Sequence, residues 1–341
     1  YGTLEKIIKD DGFKINDKYY SILEGGNNLT MAKSAALTLF EIVDIFEKLK
    51  PDLVFVIADR FENLSVAVAA SYMNIPLAHL QGGEVTGSID EKVRHAITKL
   101  SDLHFVSTKR SKEFVVRMGE DKKNVFNTGC PSLDLINIKK LKNSKNIELS
   151  NIKKLLKSKD YIVVVQHPVT NEINDVKTQI KISLESVVNI CKEKNISAIW
   201  LWPNVDAGND IISKQLRIFQ YNSPYKDRVS FIKNLTPEGY LALIYNSKCI
   251  VGNSSSGIRE ASFLGVPCVN IGTRQIHREI SKNVLNINHD VENITKAINI
   301  HFKKGKYRSS KIYGDGKAAK RIIEILKRIK TINIKKKINY I

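Results

Sequence analysis

The sequence predicts an α/β protein with two domains, each a doubly wound, mostly parallel β-sheet covered by helices on both faces. Short apolar runs of strand length alternate with amphipathic helical patterns, which is typical of repeated βαβ units. The chain has 341 residues, enough for two domains of roughly 100–200 residues each. A lysine-rich stretch, Leu135–Lys159, interrupts the alternation and is predicted to be a partly helical connection between the domains.

The predicted strands are continuous apolar runs bounded by Pro, Asp, Gly or Asn, as buried parallel strands usually are. They are Asp52–Ala58, Ile75–Leu80, Leu103–Ser107, Tyr161–Val165, Ser197–Trp202, Val229–Ile232, Lys248–Val251 and Val266–Ile271. Helical stripes between them cover Met31–Lys50, Glu172–Lys194 and Pro237–Asn246. We predict a first domain over residues 1–150, a second over 151–330 and a basic tail over 331–341. The first half has few strands for this fold class, so we expect a first strand and its loop to precede Tyr1.

The formal net charge of +19 first suggests nucleic acid as a partner. However, residues 139–160 and 317–341 carry net charges of +6 and +8, in stretches with little aromatic interleaving. Such stretches are more typical of a solvated, lysine-rich surface than of a surface that stacks on bases. We therefore predict no nucleic-acid partner.

The composition also argues against a membrane protein and a metalloprotein. No apolar run approaches the roughly 18 residues of a membrane helix, and Tyr1–Asp11 is too polar for a signal peptide. The four cysteines have neither CxxC spacing nor a histidine at ligand spacing, so we predict no metal site. Free thiols fit a reducing compartment, and we predict a cytoplasmic location without membrane contact. The cysteines are Cys130, Cys191, Cys249 and Cys268.

Polar residues at the carboxyl ends of the strands are the functional candidates, because ligands of such sheets bind there. Asp59 and Arg60 follow the first predicted strand, although a capping Asp beside a surface Arg explains the pair equally well. A loop with three glycines and three carboxylates starts at Gln81 and includes Glu84. Asp90 belongs to this loop and can also cap the helix that follows. Carboxylates this dense beside glycines favour a functional loop.

In the second half, His167 and Asn204 follow predicted strands, and a histidine there can bind a phosphate, act as an acid or be purely structural. The sharpest feature is the string Gly252-Asn253-Ser254-Ser255-Ser256-Gly257 between a strand and a helix. It favours a phosphate site over a single serine N-cap, because small residues leave the helix N-terminal amides open to an anion. Glu260, one turn into the helix, can accept hydrogen bonds from two ribose hydroxyls, and Arg274 can meet the same anion.

Together these motifs are far more specific than any of them alone. In chain order they are Asp59-Arg60-Phe61-Glu62, Gly82-Gly83-Glu84-Val85-Thr86-Gly87 with Asp90 and Arg94-His95-Ala96, Gly129-Cys130-Pro131-Ser132, Gln166-His167-Pro168-Val169-Thr170, Pro203-Asn204-Val205-Asp206-Ala207-Gly208, Gly252-Asn253-Ser254-Ser255, Gly272-Thr273-Arg274-Gln275-Ile276 and Tyr313-Gly314-Asp315-Gly316. With this set, the chain closely resembles the hydrolysing UDP-N-acetylglucosamine 2-epimerases of sialic acid biosynthesis, from about Tyr1 to about Ile329.

The resemblance implies a GT-B-like fold of two Rossmann-type domains, with the sugar on the first and the nucleotide on the second. It implies conversion of UDP-N-acetylglucosamine and water to N-acetylmannosamine and UDP, without a cofactor, in a homodimer or homotetramer. By position, Asp59, Gln81 and Asp90 match the acid/base positions of the family. The residues that match its nucleotide contacts are Arg60, His167, Asn204, Ser254, Ser255, Glu260 and Arg274. The string Gly314–Ala319 formally matches GxGxxA, but no strand precedes it, so we expect no NAD.

The chain departs from the family pattern at two points. Gln81 stands where many relatives have Glu, and a Gln cannot move a proton, so we expect Asp59, Glu84 and Asp90 to supply the acid/base function. The family also begins with a strand and a nucleotide-contacting loop that these 341 residues lack. His167, together with the arginines and serines, is expected to stabilise the departing diphosphate.

Epimerisation at C2 requires that the C2 proton leave and that a proton return on the opposite face. Elimination of the nucleotide to a 2-acetamidoglucal, followed by hydration, meets that need. The alternatives that stay open are the same chemistry on a nucleotide-linked 2,4-diacetamido-trideoxyhexose for legionaminic acid, a non-hydrolysing epimerase, a GT-B glycosyltransferase, and a basic RNA-binding protein. Release of free UDP without an acceptor separates the hydrolase from the non-hydrolysing epimerase and the transferase.

Overall fold

Two parallel β-sheets organise the chain. The computed structural model describes residues 4–86, 89–142, 147–154, 156–204 and 206–339, so Gly87, Ser88 and Val205 of the motifs lie outside the described residues. The strands of the first sheet, in chain order, are β1 (Val54–Ile57), β2 (Leu77–Leu80), β3 (Leu103–Val106) and β4 (Val125–Asn127). The strands of the second are β5 (Tyr161–Val165), β6 (Ser197–Leu201), β7 (Val229–Ile232), β8 (Ile250–Gly252), β9 (Cys268–Ile271) and β10 (Val284–Ile287).

The second sheet is doubly wound. Its order is β10-β9-β8-β5-β6-β7, so the winding direction reverses between β5 and β8. The prediction of two α/β domains with parallel sheets is confirmed. The strands β4 and β10 were not predicted, because their apolar runs are too short: Asn127 ends β4 after two apolar residues, and Asn286 interrupts β10.

Helices cover both faces of each sheet. They are α1 (Leu4–Asp10), α2 (Asn28–Leu49), α3 (Phe61–Tyr72), α4 (Ile89–Leu100), α5 (Lys109–Arg117), α6 (Ile138–Lys142), α7 (Ile147–Lys154), α8 (Val176–Glu193), α9 (Asn209–Asn222), α10 (Pro237–Asn246), α11 (Ser255–Ile258), α12 (Glu260–Leu264), α13 (Val291–Lys304) and α14 (Ala318–Leu326). Within the described ranges, none of them is long and apolar enough to cross a membrane. The four cysteines are free and buried, as predicted for Cys249 and Cys268.

The last helix returns to the first sheet. Ile322 of α14 packs with Leu80, Leu103 and Phe105, on the sheet face opposite the one that α2, α3 and α4 cover. At the other crossing, α6 and α7 place Leu141 and Ile152 in the core of the second domain. The chain therefore crosses between the two cores twice, first before α6 and again before α14. The predicted boundary at residue 150 stays a prediction.

The predicted solvation of the basic tail is wrong for Lys336. Its Nζ lies 2.8 Å from Oε2 of Glu120, a side chain that is only 5% exposed, and it donates to the carbonyl of Ser101 at 2.5 Å. Glu120 also receives hydrogen bonds from Lys99 at 2.6 Å and from the His104 ring at 3.1 Å. A buried carboxylate requires such partners, and this requirement draws a lysine out of solvent.

We expect Glu120→Gln to lower stability in a pH-dependent way. Burial raises the pKa of Glu120, but hydrogen bonds from His104, Lys336 and Lys99 outweigh burial and lower it to about 2. A lowered pKa means that the carboxylate stabilises the fold fully above its ordinary value of 4.5, and that this contribution disappears as the pH falls towards 2. Urea unfolding from pH 2 to 7 should show a loss in the variant that is large at pH 7 and vanishes at the acid end.

Asp227→Asn is the control, because Asp227 pairs with Lys157 where both side chains are about 60% exposed. Exposed pairs contribute about 0–1 kcal/mol. The prediction would be contradicted if Glu120→Gln lowered the free energy of unfolding as little as the control does, or by the same amount at every pH.

Candidate active site

An open cavity lies between the two domains, with about 470 Å³ of space that includes open solvent. Five of the predicted site residues line it: Asp59, Arg60, Asp90, Asn204 and Arg274. The other lining residues are Met31, Phe61, Ile89, Val93, Thr170 and Asp206. The cavity therefore has a charged part and an apolar wall, and it lies at the carboxyl ends of β1 and β6.

Asp59 and Arg60 come directly after β1. The chain turns at Ala58, whose φ of 59° lies in the left-handed region that non-glycine residues rarely adopt. Asp59 accepts a hydrogen bond from the guanidinium group of Arg94, which is 1% exposed. Arg60 is the N-cap residue of α3 and binds the carboxylate of Glu62 with an Nη2–Oε1 distance of 2.6 Å. The buried arginine thus fixes the Asp59 carboxylate at the edge of the cavity.

Arg274 lies between acidic residues of both domains. Its Nη2 is 3.7 Å from Oδ2 of Asp90 in the first domain and 3.7 Å from Oδ2 of Asp206 in the second. Asp206 is also 3.9 Å from Nη1 of Arg60 and accepts a hydrogen bond from the side chain of Asn204 at 2.5 Å. Positive and negative groups therefore alternate across the cleft, which is suited to a ligand that carries both a diphosphate and hydroxyl groups.

Glu84 is buried between guanidinium groups rather than open to the cavity. Its side chain is 3% exposed, and Oε2 accepts from Nη2 of Arg259 at 2.5 Å and from Nη1 of Arg278. Burial raises the pKa of Glu84, but the charges of Arg259, Arg278 and Arg94 outweigh burial and lower it to about 2. At neutral pH Glu84 is therefore ionised, and of the acid and base roles only that of a base is open to it.

His167 is held as a neutral ring. The backbone N–H of Asn204 donates to its Nδ1 at 3.3 Å, so the proton of the neutral ring lies on Nε2. Burial and the charge of Arg274 lower the pKa of His167 to about 3. Asn253 fixes the backbone, accepting from the N–H of His167 at 2.7 Å and donating to its carbonyl at 2.8 Å. His167 can therefore donate one hydrogen bond at neutral pH but carries no charge.

The serine string ends β8 and starts a helix, as predicted. Gly252 is required there, because a Cβ would lie 2.2 Å from the carbonyl oxygen of Val165. Ser254 is the N-cap of α11, and its Oγ accepts from the backbone N–H of Ser256. Ser255 is half-buried. The N-cap role of Ser254 is thus observed, and its predicted role as a phosphate ligand stays a prediction.

Gln81 and Glu260 both contact the loop after β4. Gln81 follows β2 with a φ of 64°, is 6% exposed, and donates from Nε2 to Sγ of Cys130 at 3.3 Å. Oε1 of Glu260 accepts from the hydroxyl of Ser132 at 2.5 Å. Both residues lie outside the lining of the central cavity, and their predicted substrate contacts stay predictions.

Sequence reasoning missed Arg259 and Arg278. Arg259 directly precedes Glu260 in a polar stretch of the sequence, which gave no reason to expect that its side chain is buried. Arg278 lies in the polar string His277-Arg278-Glu279, which has the composition of a surface loop. The one available signal was Glu84 itself, since a carboxylate between glycines in a buried loop requires a cationic partner. Within the described parts of the chain, no group of three or more His, Cys, Asp and Glu side chains has the arrangement of a metal site.

Comparison with known proteins assigns the chain to a family. The family model of UDP-N-acetylglucosamine 2-epimerase matches residues 3–327. The chain belongs to the UDP-N-acetylglucosamine 2-epimerase family. The resemblance drawn from the motifs is therefore confirmed.

Two relatives and one solved structure illustrate the match. The chain is 36% identical to the hydrolysing UDP-N,N'-diacetylbacillosamine 2-epimerase of Legionella pneumophila, over 96% of this chain and 85% of that protein. It is 29% identical to the UDP-N-acetylglucosamine 2-epimerase of Neisseria meningitidis, over 98% of this chain and 85% of that protein. The Methanocaldococcus jannaschii UDP-GlcNAc 2-epimerase, crystallised with UDP-GlcNAc and UDP, superposes with a TM-score of 0.80 at 21% identity, covering 95% of this chain and 88% of that one. This last likeness shows the shared GT-B-like fold.

We expect Glu84→Gln to destabilise this epimerase-family protein by about 3–5 kcal/mol, the range for breaking a buried ion pair from one side. The variant leaves Arg259 and Arg278 buried without a counter-charge. The free energy of unfolding in urea measures the effect. Asp315→Asn is the matched control, since Asp315 pairs with Arg321 where both side chains are more than a third exposed. Equal losses in the two variants would show that the Glu84 cluster does not stabilise the fold.

Proposed function

We propose that this chain is a hydrolysing 2-epimerase that releases UDP from a UDP-linked 2-acetamido sugar and inverts C2. The observation that carries the proposal is the central cavity, where the carboxylates Asp59 and Asp90 lie beside the guanidinium groups Arg60 and Arg274. Carboxylates can move the sugar proton, and guanidinium groups can stabilise the leaving diphosphate. The predicted cytoplasmic location and the predicted homodimer or homotetramer stay predictions.

The reaction proceeds in two steps that need no oxidant or reductant. In the elimination, a carboxylate takes the C2 proton, the C2–H electrons form the C1=C2 double bond, and the C1–O electrons leave with UDP. In the hydration, a protonated carboxylic acid gives C2 a proton on the opposite face, and the oxygen of water bonds to C1. That oxygen keeps one of its protons as the C1 hydroxyl, and its other proton goes to a carboxylate. The sum is UDP-sugar and water to UDP and the epimerised free sugar.

Proton transfer and stabilisation of the leaving group are assigned mainly to different domains. Asp59, fixed by Arg94, and Asp90, on the first turn of α4, are the proton-transfer groups that line the cavity. The role of Glu84 as a further base stays a prediction. On the second domain, Arg274 and the Nε2–H of His167 are proposed to stabilise the leaving diphosphate, with Ser254 and Ser255 as further donors. Glu260 is proposed to hold the ribose.

The apolar wall favours a deoxygenated sugar. Met31, Phe61, Ile89 and Val93, from α2, α3 and α4, supply the apolar part of the cavity lining. A sugar hydroxyl against this wall would lose its hydrogen bonds to water, whereas a C6 methyl and a 4-acetamido methyl would gain by burial. This favours a UDP-2,4-diacetamido-trideoxyhexose, in line with the name of the Legionella relative. UDP-N-acetylglucosamine, giving N-acetylmannosamine for sialic acid biosynthesis, is the second candidate, supported by the family description and the Neisseria relative.

Incubation with each sugar nucleotide in D2O, followed by proton NMR, tests the proposal. We expect free UDP and a free C2-epimerised sugar that carries deuterium at C2, because elimination breaks the C2–H bond and the solvent supplies the new proton. Faster turnover of UDP-N,N'-diacetylbacillosamine than of UDP-N-acetylglucosamine is expected from the apolar wall. An epimer still linked to UDP would point to a non-hydrolysing epimerase, and UDP release only with an added acceptor would point to a transferase.

We expect Asp90→Asn to lower kcat by about 10²–10⁴, as for loss of a proton-transfer group. Its melting temperature should change little, because the Asp90 side chain is 27% exposed and Asn keeps its shape. Asp59→Asn should lose both activity and stability, because Arg94 then lacks its carboxylate. Asp44→Asn, an exposed change on α2, is the control for both variants.

The companion variant is Gln81→Glu, which restores the residue that many relatives have. If Gln81→Glu creates activity in an otherwise inert protein, the carboxylates Asp59, Glu84 and Asp90 are insufficient and this assignment fails.

A further inference from the structure

The motif Gly129-Cys130-Pro131-Ser132 has no role in the mechanism above, yet it lies where the chain crosses between the domains. Cys130 donates its backbone N–H to the carbonyl of Tyr313 at 2.7 Å, which joins the first crossing to the second. Asp134, two residues after Ser132, accepts from the backbone N–H groups of Ala318 and Ala319 at the start of α14. Ser132 is therefore held by a loop that is fastened to both crossings.

Side-chain hydrogen bonds link this loop to both domains. Gln81 donates from Nε2 to Sγ of Cys130 at 3.3 Å, and Sγ of Cys130 lies 3.1 Å from Oγ of Ser132. The hydroxyl of Ser132 then donates to Oε1 of Glu260 at 2.5 Å. Four side chains thus connect the end of β2 in the first domain to the start of α12 in the second.

The direction of every hydrogen bond in this chain follows from the donors available. The Ser132 hydroxyl has one proton, and a carboxylate can only accept, so that proton points to Glu260. The contact between Cys130 and Ser132 must then use the thiol proton of Cys130. Burial raises the pKa of Cys130, which keeps the thiol protonated. The thiol of Cys130 and the hydroxyl of Ser132 each accept one hydrogen bond and donate the next. Each accepted bond polarises the donor, so the last bond, from Ser132 to Glu260, is strengthened.

We propose that Ser132 is a positioning residue for the nucleoside, holding the carboxylate of Glu260 in the orientation that accepts the two ribose hydroxyls of UDP. This inference rests on the proposed function. One carboxylate oxygen is fixed by Ser132 and still has a second lone pair, so both oxygens remain able to accept from a ribose diol. Without Ser132 the Glu260 side chain has to be ordered by the ligand itself, which weakens binding.

Calorimetry with UDP and with inorganic pyrophosphate on the full chain tests the inference. Ser132→Ala is expected to raise the Kd of UDP about tenfold, the order expected for a hydrogen bond to a charged group, and to leave the Kd of pyrophosphate unchanged. The KM of the sugar nucleotide should rise with kcat nearly constant, because the nucleoside is bound equally in the ground and transition states. Ser132→Thr keeps the hydroxyl and should restore most of the affinity.

Ser183→Ala is the matched control, because Ser183 is fully buried in α8 and donates only to the carbonyl of Gln179. In a protein that already carries Glu260→Gln, adding Ser132→Ala should weaken UDP binding no further. If Ser132→Ala does not fold, Cys130→Ala tests the same chain of donors. It should weaken the binding of UDP but not that of pyrophosphate.

Equal losses for UDP and pyrophosphate, a UDP affinity equal to that of the Ser183→Ala control, or additive losses in the double variant would each overturn the inference. Failure of the unmodified protein to bind UDP would instead remove the proposed function. Unchanged UDP binding in Ser132→Ala, with normal turnover by the unmodified protein, would remove only the role of Ser132.

Discussion

The burial of one carboxylate between two guanidinium groups is the constraint on which the cleft depends. Glu84 lies on the first domain, and Arg259 and Arg278 lie on the second, so their ion pairs join the domains directly. These three charged side chains can stay buried only as a group, because a buried charge without a counter-charge carries the full desolvation penalty. These ion pairs therefore hold the Glu84 loop of the first domain against the second domain.

Ion pairs also join distant segments at three other points. Arg94 is buried and fixes Asp59, Arg274 joins Asp90 to Asp206, and the buried Glu120 fastens the C-terminal tail through Lys336. At Arg94 and at Glu120 one group of the pair is buried, and in all three cases the partner comes from a segment distant in the chain. The charged residues of this protein therefore specify where segments meet, while the apolar residues build the two cores.

Much of the architecture was predictable because buried parallel strands are continuous apolar runs. The predicted strands Ile75–Leu80 and Tyr161–Val165 correspond closely to β2 and β5, and the helix after the serine string starts where predicted. The cavity also gathers Asp59, Arg60, Asp90, Asn204 and Arg274, as expected for residues that follow strands of parallel sheets. The role of α14 was not predictable, since nothing local in an amphipathic helix says which of two sheets its apolar face will cover.

The sequence by itself determined the fold class, the family and the residues at the strand ends, because all three depend on local patterns of apolar runs and short motifs. Only the tertiary structure decided which charges pair. Arg278 and Glu84 are 194 residues apart, and no local pattern distinguishes their buried pair from two solvated side chains. The same holds for Gln81, Cys130, Ser132 and Glu260, which form one chain of hydrogen bonds only because the polypeptide crosses twice between the domains beside them. Desolvation energy depends on what surrounds a group in space, and that is fixed only when distant segments have packed together.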